Sequence, residues 1–173
     1  IDPDKKNDKN IDHCVESANQ NGADALFVGG SMMMDRFYHK RVERIKSIAE
    51  IPMILFPGGV NQLNKHYDAM LFMSILSGRN SHYLIGEQVI AAPIVKDYGI
   101  ETIPTGYLLV DGGSPTTVEF TSGTRPIPAN RPDIVVSHAL AGQFLGMQLI
   151  YLEAGSGALN KVSKEVVKRV ANE

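Results

Sequence analysis

Cysteine is nearly missing from this chain: Cys14 stands alone among 173 residues, so no internal disulfide can form and a reducing, cytoplasmic compartment is the expectation. Cys14 follows Ile11 on an expected helix and reads as a small buried side chain. A block of one charge is also lacking. The 17 Lys and Arg are scattered among 19 Asp and Glu for a net charge of −2, which argues against a nucleic-acid partner. No signal-peptide pattern and no apolar stretch of about 18 residues occurs, so no transmembrane segment is expected. The five histidines, His13, His39, His66, His82 and His138, lack metal-ligand spacing and do not suggest zinc.

What is present is apolar and periodic. With 43% hydrophobic residues the chain can bury one sizeable core, and its length favours a single domain over residues 1–173. Ile1 reads as the last residue of a strand. Residues 11–21 follow as a helix stopped by Asn21-Gly22. Strands are expected at Ala23–Ser31, Ile51–Gly59, Ala69–Leu76, Glu101–Val110 and from Gln148 onward. Helices are expected at Arg36–Ala49, Tyr83–Tyr98, Pro132–Leu145 and Val162–Val170, with a turn of helix at Asn61–Lys65. Pro93 should kink or divide the helix that holds it. The Gly-, Thr-, Pro- and Ser-rich stretch Asp111–Pro132 has no helical period, and Thr117–Thr121 alternates as a small extra strand would.

Strand-then-helix alternation implies an α/β chain with parallel strands, and nearly continuous apolar strands imply a sheet covered on both faces. An open doubly wound sheet and a barrel both fit. A barrel needs eight strands and about 250 residues, so length alone favours the open sheet.

The chain is organised around Gln148–Ala158. An apolar run there carries Tyr151 and Glu153 at its carboxyl end, then breaks into Gly155-Ser156-Gly157 ahead of a helix. Loops after parallel strands build active sites. Tyr151 and Glu153 would therefore face substrate, with the backbone amides of Gly155, Ser156 and Gly157 placed to cradle a phosphate. The pattern reads as a phosphate-ester site with a built-in general base. The bland alternatives are a simple turn at Gly-Ser-Gly, an ion pair for Glu153 and core packing for Tyr151. Acids are rarely buried without a reason, which favours catalysis.

The strand ends taken in order are Ile1-Asp2-Pro3-Asp4-Lys5, Gly29-Gly30-Ser31, Phe56-Pro57-Gly58, Ile103-Pro104-Thr105-Gly106-Tyr107 and Tyr151–Gly157. Together they resemble the geranylgeranylglyceryl phosphate synthase family, which includes the heptaprenylglyceryl phosphate synthases, and the match runs essentially end to end. Ser77-Gly78-Arg79-Asn80 and Ile85-Gly86-Glu87-Gln88 also look like family segments. The resemblance implies a modified TIM (βα)8 barrel, with the start of strand one and the last two βα units absent from this chain. It also implies Mg²⁺-assisted transfer of a geranylgeranyl group from geranylgeranyl diphosphate to the 3-hydroxyl of sn-glycerol 1-phosphate, the first committed step of ether-linked phospholipid synthesis. A homo-oligomer, dimer or hexamer, and product release at a membrane surface go with it.

On that resemblance Asp2 is the expected Mg²⁺ ligand, with Ser31 as its partner through the hydroxyl or a water. The plain alternative has Asp2 starting the turn at Pro3 and Ser31 capping a helix. Glu153 takes the proton of the attacking hydroxyl. Tyr151, Gly155, Ser156 and Gly157 bind the glycerol phosphate. Phe56, Met73 and Tyr107 are weaker candidates for the prenyl groove, each equally suited to the core. The Met32-Met33-Met34 run could cover a lipid or a partner. Three readings compete: a longer donor such as heptaprenyl diphosphate, a metal-free sugar-phosphate isomerase or lyase with Glu153 as carbon-acid base, and a non-catalytic chain that binds prenyl lipid or itself.

Overall fold

A computed structural model describes residues 1–173. The strands are β1 (Leu26–Val28), β2 (Met53–Leu55), β3 (Ala69–Ile75), β4 (Glu101–Leu109) and β5 (Leu149–Glu153). The helices are α1 (Ile11–Gln20), α2 (Tyr38–Ile48), α3 (Glu87–Tyr98), α4 (Thr117–Ser122), α5 (Pro132–Phe144) and α6 (Lys164–Ala171). Strand order in the sheet is β1-β2-β3-β4-β5. Parallel pairing sets Leu26 opposite Met53, Ile54 opposite Ala69, and Tyr107 opposite Tyr151. Ile1 extends the ladder beside β1: its nitrogen donates to the Phe27 carbonyl at 2.6 Å and its carbonyl accepts from the Gly29 N–H at 3.0 Å. The expected strand ending at Ile1 is thus seen in its hydrogen bonds.

The chain divides into two compact units, residues 1–72 with 89–103 and residues 73–88 with 104–173. In the first, α1 buries Ile11 and Val15, and α2 buries Tyr38, Val42 and Ile45. Those spacings of three and four put each set on one helix face. They pack with Val28, Met53 and Leu55 from β1 and β2 in one core. In the second unit, Val135 and Ala139 of α5 and Val166 of α6 join Leu108, Val110 and Ile127. The α5 helix starts with Pro132 in its first turn, where a missing N–H costs nothing. The α6 helix is capped by the Ser163 side chain, which accepts from the Val166 N–H at 3.2 Å.

Four expectations are corrected. Thr117–Thr121 is helical, within α4, because Thr116 caps it by accepting from the Glu119 N–H at 3.3 Å and Gly123 closes it at φ +63°. The Thr-x-x-Glu capping signature outweighs the β-prone alternation. Pro93 does not divide its helix: it lies inside α3, which runs on from a π-turn over His82–Gly86. Pro93 is on the exposed side of α3, so the carbonyl that loses its donor can turn to water. Cys14 is exposed: the buried stripe of α1 runs through Ile11 and Val15, and Cys14 lies outside it, about 100° round the helix from Val15. Phe27, at the centre of β1, is also exposed, between the buried Leu26 and Val28, so β1 alternates where coverage of both faces was expected, whereas β4 is buried continuously over Thr105–Leu109 as expected. No helix is long and apolar enough to cross a membrane.

Candidate active site

In the second unit, β5 delivers Tyr151 and Glu153 to its carboxyl end. Glu153 is turned back on its own loop, where one carboxylate oxygen accepts from the Gly155 N–H at 2.7 Å. That bond fixes the carboxylate at the mouth of the turn. The Tyr151 hydroxyl donates to the same carboxylate, and burial, the Glu153 charge and this hydrogen bond push its pKa up to about 12. Tyr151 therefore stays protonated at neutral pH and remains a donor. Its ring stacks on Tyr107 at 5.7 Å, with the planes 23° apart. Tyr107 is buried, and its phenol is raised further, chiefly by burial.

The turn itself closes through Ala158 N–H to the Gly155 carbonyl at 3.1 Å. Gly155 sits at φ +95°, and a Cβ there would lie 2.1 Å from Thr116 Cγ2. Gly157 sits at φ +79° with nothing within 4 Å of where a Cβ would be. Both positions need glycine for the backbone, but only Gly155 also needs it for space. The loop is packed onto the start of the β4–α4 connection, where Asn160 N–H donates to the Gly112 carbonyl at 2.9 Å. A cavity of about 400 Å³ opens here, lined among others by Tyr151, Glu153, Gly155, Gly157, Asn160 and Lys161. Most of the expected residues at this end, Tyr151, Glu153, Gly155 and Gly157, thus come together around one opening; Ser156 is an exposed residue of the turn between the glycines. Asn160 and Lys161 were not foreseen. A lysine just past a glycine turn was the available signal, masked by the even scatter of lysines through the chain.

In the first unit, the Asp2 carboxylate lies against the Gly29-Gly30-Ser31 turn: a Cβ on Gly30 would be 2.8 Å from Asp2 Oδ1. Asp2 is partly exposed, with Lys6 Nζ at 3.6 Å from its other oxygen. Ser31, next in the chain to Gly30, is exposed and caps no helix. The strand ends around them are close-packed. A Cβ on Gly29 would fall 1.9 Å from the Phe56 carbonyl oxygen, and one on Gly58 would fall 2.3 Å from that of Gly30. Buried Gln62, unforeseen from sequence, bridges the two turns: its Nε2 donates to the Gly30 carbonyl at 2.7 Å and its Oε1 accepts from the Gly58 N–H at 2.9 Å. The donor set suits Mg²⁺, which takes one or two carboxylates and leaves its other positions to water and substrate oxygens. Asp2 offers one accessible hard-oxygen carboxylate, and Ser31 one hydroxyl. No cluster of three or more acidic, His or Cys side chains competes for a cation.

The weaker groove candidates are dispersed by role. Tyr107 is buried under Tyr151, whereas Phe56 and Met73 are half-buried. The carbonyl of Met73 accepts from Gln88 Nε2, which ties α3 to β3. The Ser77–Asn80 segment frames the end of β4: the Leu109 N–H donates to Ser77 Oγ at 2.9 Å, and Asn80 Nδ2 donates to the Ser122 carbonyl of α4 at 3.0 Å.

Parallel strands whose carboxyl ends present a fixed carboxylate, a phenol donor and a glycine turn beside an open cavity have the layout of the active-site face of an α/β enzyme. The PcrB family matches residues 1–173 throughout. The geranylgeranylglyceryl phosphate synthase of Chitinophaga pinensis is 42% identical over 173 residues, which are 100% of this chain and 69% of that protein. That of Methanopyrus kandleri is 45% identical over 171 residues, covering 99% of this chain and 71% of its own. The (S)-3-O-geranylgeranylglyceryl phosphate synthase of Thermoplasma acidophilum, solved with its substrate sn-glycerol-1-phosphate, superposes with a TM-score of 0.91 at 36% identity, over 100% of this chain and 70% of that one. This chain belongs to the PcrB family. Its fold is the TIM-barrel-like α/β fold of these synthases, and its relatives place it among the prenyltransferases.

Proposed function

We propose that the chain transfers a geranylgeranyl group from geranylgeranyl diphosphate to the 3-hydroxyl of sn-glycerol 1-phosphate. The observation that carries this reading is the Tyr151–Glu153–Gly155 arrangement around the 400 Å³ cavity. In it a carboxylate is held by its own loop amide, and a neutral phenol and a glycine turn stand beside it. Glu153 takes the proton of the 3-hydroxyl as that oxygen attacks C1 of the prenyl chain and the C1–diphosphate bond breaks. Tyr151 turns its hydroxyl hydrogen from Glu153 to the glycerol phosphate, which leaves the carboxylate free to act as base, and the turn at Gly155, Ser156 and Gly157 receives the phosphate oxygens, with Lys161 adding positive charge. Asp2 and Ser31 would hold Mg²⁺. Bound there, the ion would neutralise charge on the departing diphosphate. Phe56 and Met73 are proposed to line the prenyl groove, with Tyr107 supporting Tyr151. The product would enter ether-linked phospholipid synthesis in the cytoplasm and leave at a membrane surface.

Self-association of the chain is supported by α3, where Ile90, Ile94 and Tyr98 are 53%, 37% and 42% exposed on one face. The test of function is incubation with sn-glycerol 1-phosphate, Mg²⁺ and prenyl diphosphates of graded length, with organic-extractable product identified by mass. A geranylgeranyl ether phosphate that disappears with EDTA supports the reading. A longer-chain ether would move the donor to the heptaprenyl class, and metal-independent turnover of a sugar phosphate in its place would overturn the reaction.

A further inference from the structure

Arg41 is a charged side chain on the core-facing side of α2, only 6% exposed, one residue before the fully buried Val42. Burying a guanidinium is costly unless its donors are used, and here they are used on three residues of two separate segments. Nη1 and Nη2 form a fork on the two Asp35 carboxylate oxygens at 3.1 and 2.8 Å. Nη1 also donates to the Pro3 carbonyl at 3.2 Å, and Nε to Asp8 Oδ1 at 3.3 Å. A buried ion pair by itself says little about stability. What distinguishes this one is where its arms attach. Pro3 is the residue after Asp2, and Asp8 lies in the 3₁₀ turn that follows Asp4. Asp35 lies at the far end of the loop that begins Gly29-Gly30-Ser31, and its carboxylate also accepts from the Phe37 N–H at 2.7 Å. One guanidinium therefore links the Asp2 segment to the Ser31 loop.

We propose that Arg41 is a positioning residue that ties the Asp2 segment to the Ser31 loop and so keeps the two proposed cation ligands together. This rests on the assignment of those two residues to Mg²⁺ above. A lysine cannot reproduce the role, because an ammonium is a point charge and cannot fork onto Asp35 while reaching the Pro3 carbonyl.

The test is a titration of the full chain with Mn²⁺ alone, followed by the loss of the free-ion EPR signal, with Asp2→Asn as the control that should abolish specific binding. Arg41→Lys is expected to weaken Mn²⁺ binding by about tenfold or more, the usual effect of losing a partner behind a metal ligand. In turnover assays it should raise the Mg²⁺ needed for half-maximal rate by a similar factor, leaving the KM for sn-glycerol 1-phosphate within about twofold. Asp35→Asn, which keeps the guanidinium and its bond to Pro3, should give a smaller loss in the same direction and serves if Arg41→Lys does not fold. Unchanged Mn²⁺ affinity in either folded variant would overturn the proposal. So would a glycerol phosphate KM that rises as much as the Mg²⁺ requirement, or wild-type protein with no Asp2-dependent Mn²⁺ binding. Should the wild type bind Mn²⁺ through Asp2 yet form no prenyl ether, the proposed reaction fails, and the Arg41→Lys titration still decides the role of Arg41.

Discussion

The two ends that carry the candidate chemistry are built on opposite plans. Around Asp2 and Ser31 the turns are clamped shut: glycines let backbones touch, Gln62 bridges two turns, and Arg41 ties down the flanking loops. Around Glu153 the turn is clamped on one side only. Gly155 is pressed against Thr116, whereas Gly157 faces open space beside the cavity. A site that holds a small cation needs ligands fixed by their supports. A site that admits a phosphate needs exposed amides and room. The closed and open glycines match the two tasks proposed for these ends.

The comparison is sharpened most by Glu153→Gln. Glutamine keeps an oxygen to accept from the Gly155 N–H, so the loop should survive while the base is lost; turnover should fall by about 10²–10⁴-fold with little change in Tm. Retained activity would move the base elsewhere. Next comes Gln62→Leu, which removes the fully buried amide that partners the part-buried Gly58 N–H and Gly30 carbonyl. A loss of about 2–4 kcal/mol is expected in denaturant unfolding, and the closed end should suffer first, seen as early hydrogen exchange at Gly58.

The two glycines of the open end should then part company. Gly155→Ala combines a left-handed backbone with a clash against Thr116 and should cost about 2–4 kcal/mol. Gly157→Ala meets only the backbone penalty of about 1–2 kcal/mol. Equal losses would show that the turn can shift away from Thr116.

The smallest effect concerns pH. Tyr38 in the first core has its phenol pushed up to about 12, mainly by burial, while its hydroxyl meets that of Tyr67 at 3.3 Å. A raised phenol pKa favours the protonated, folded form, so its contribution is complete below about pH 10 and is lost as pH rises from about 10 toward 12. Tyr38→Phe should flatten the alkaline fall in stability by up to about 1.4 kcal/mol per pH unit, measured by urea unfolding across that range.

Much of this was legible in the residues themselves. Asn21-Gly22 ended α1, Leu145-Gly146 ended α5, and the strand-end motifs with Asp2, Ser31, Tyr151 and Glu153 stood where strand ends were expected. At Thr117–Thr121 the local alternation competes with the Thr116 cap, and the cap prevails; at Pro93 the outcome depends on the exposed side of α3, which the ring itself does not disclose. Gln62 and Arg41 were invisible for a different reason: their key partners, Gly30 and Pro3, lie 32 and 38 residues away.

The sequence by itself determined the order and kind of the elements, the carboxylates, hydroxyls and glycines at strand ends, and the family to which they belong, because periodicity, capping and turn chemistry are local. Only the tertiary structure decided that Arg41 grips the Asp2 segment, that Gln62 joins two turns, that Thr116 fills the space beside Gly155, and that Asn160 and Lys161 line the cavity. Each of those depends on which loops meet in space, and that is set by the packing of helices on the sheet, not by any residue's neighbours in the chain.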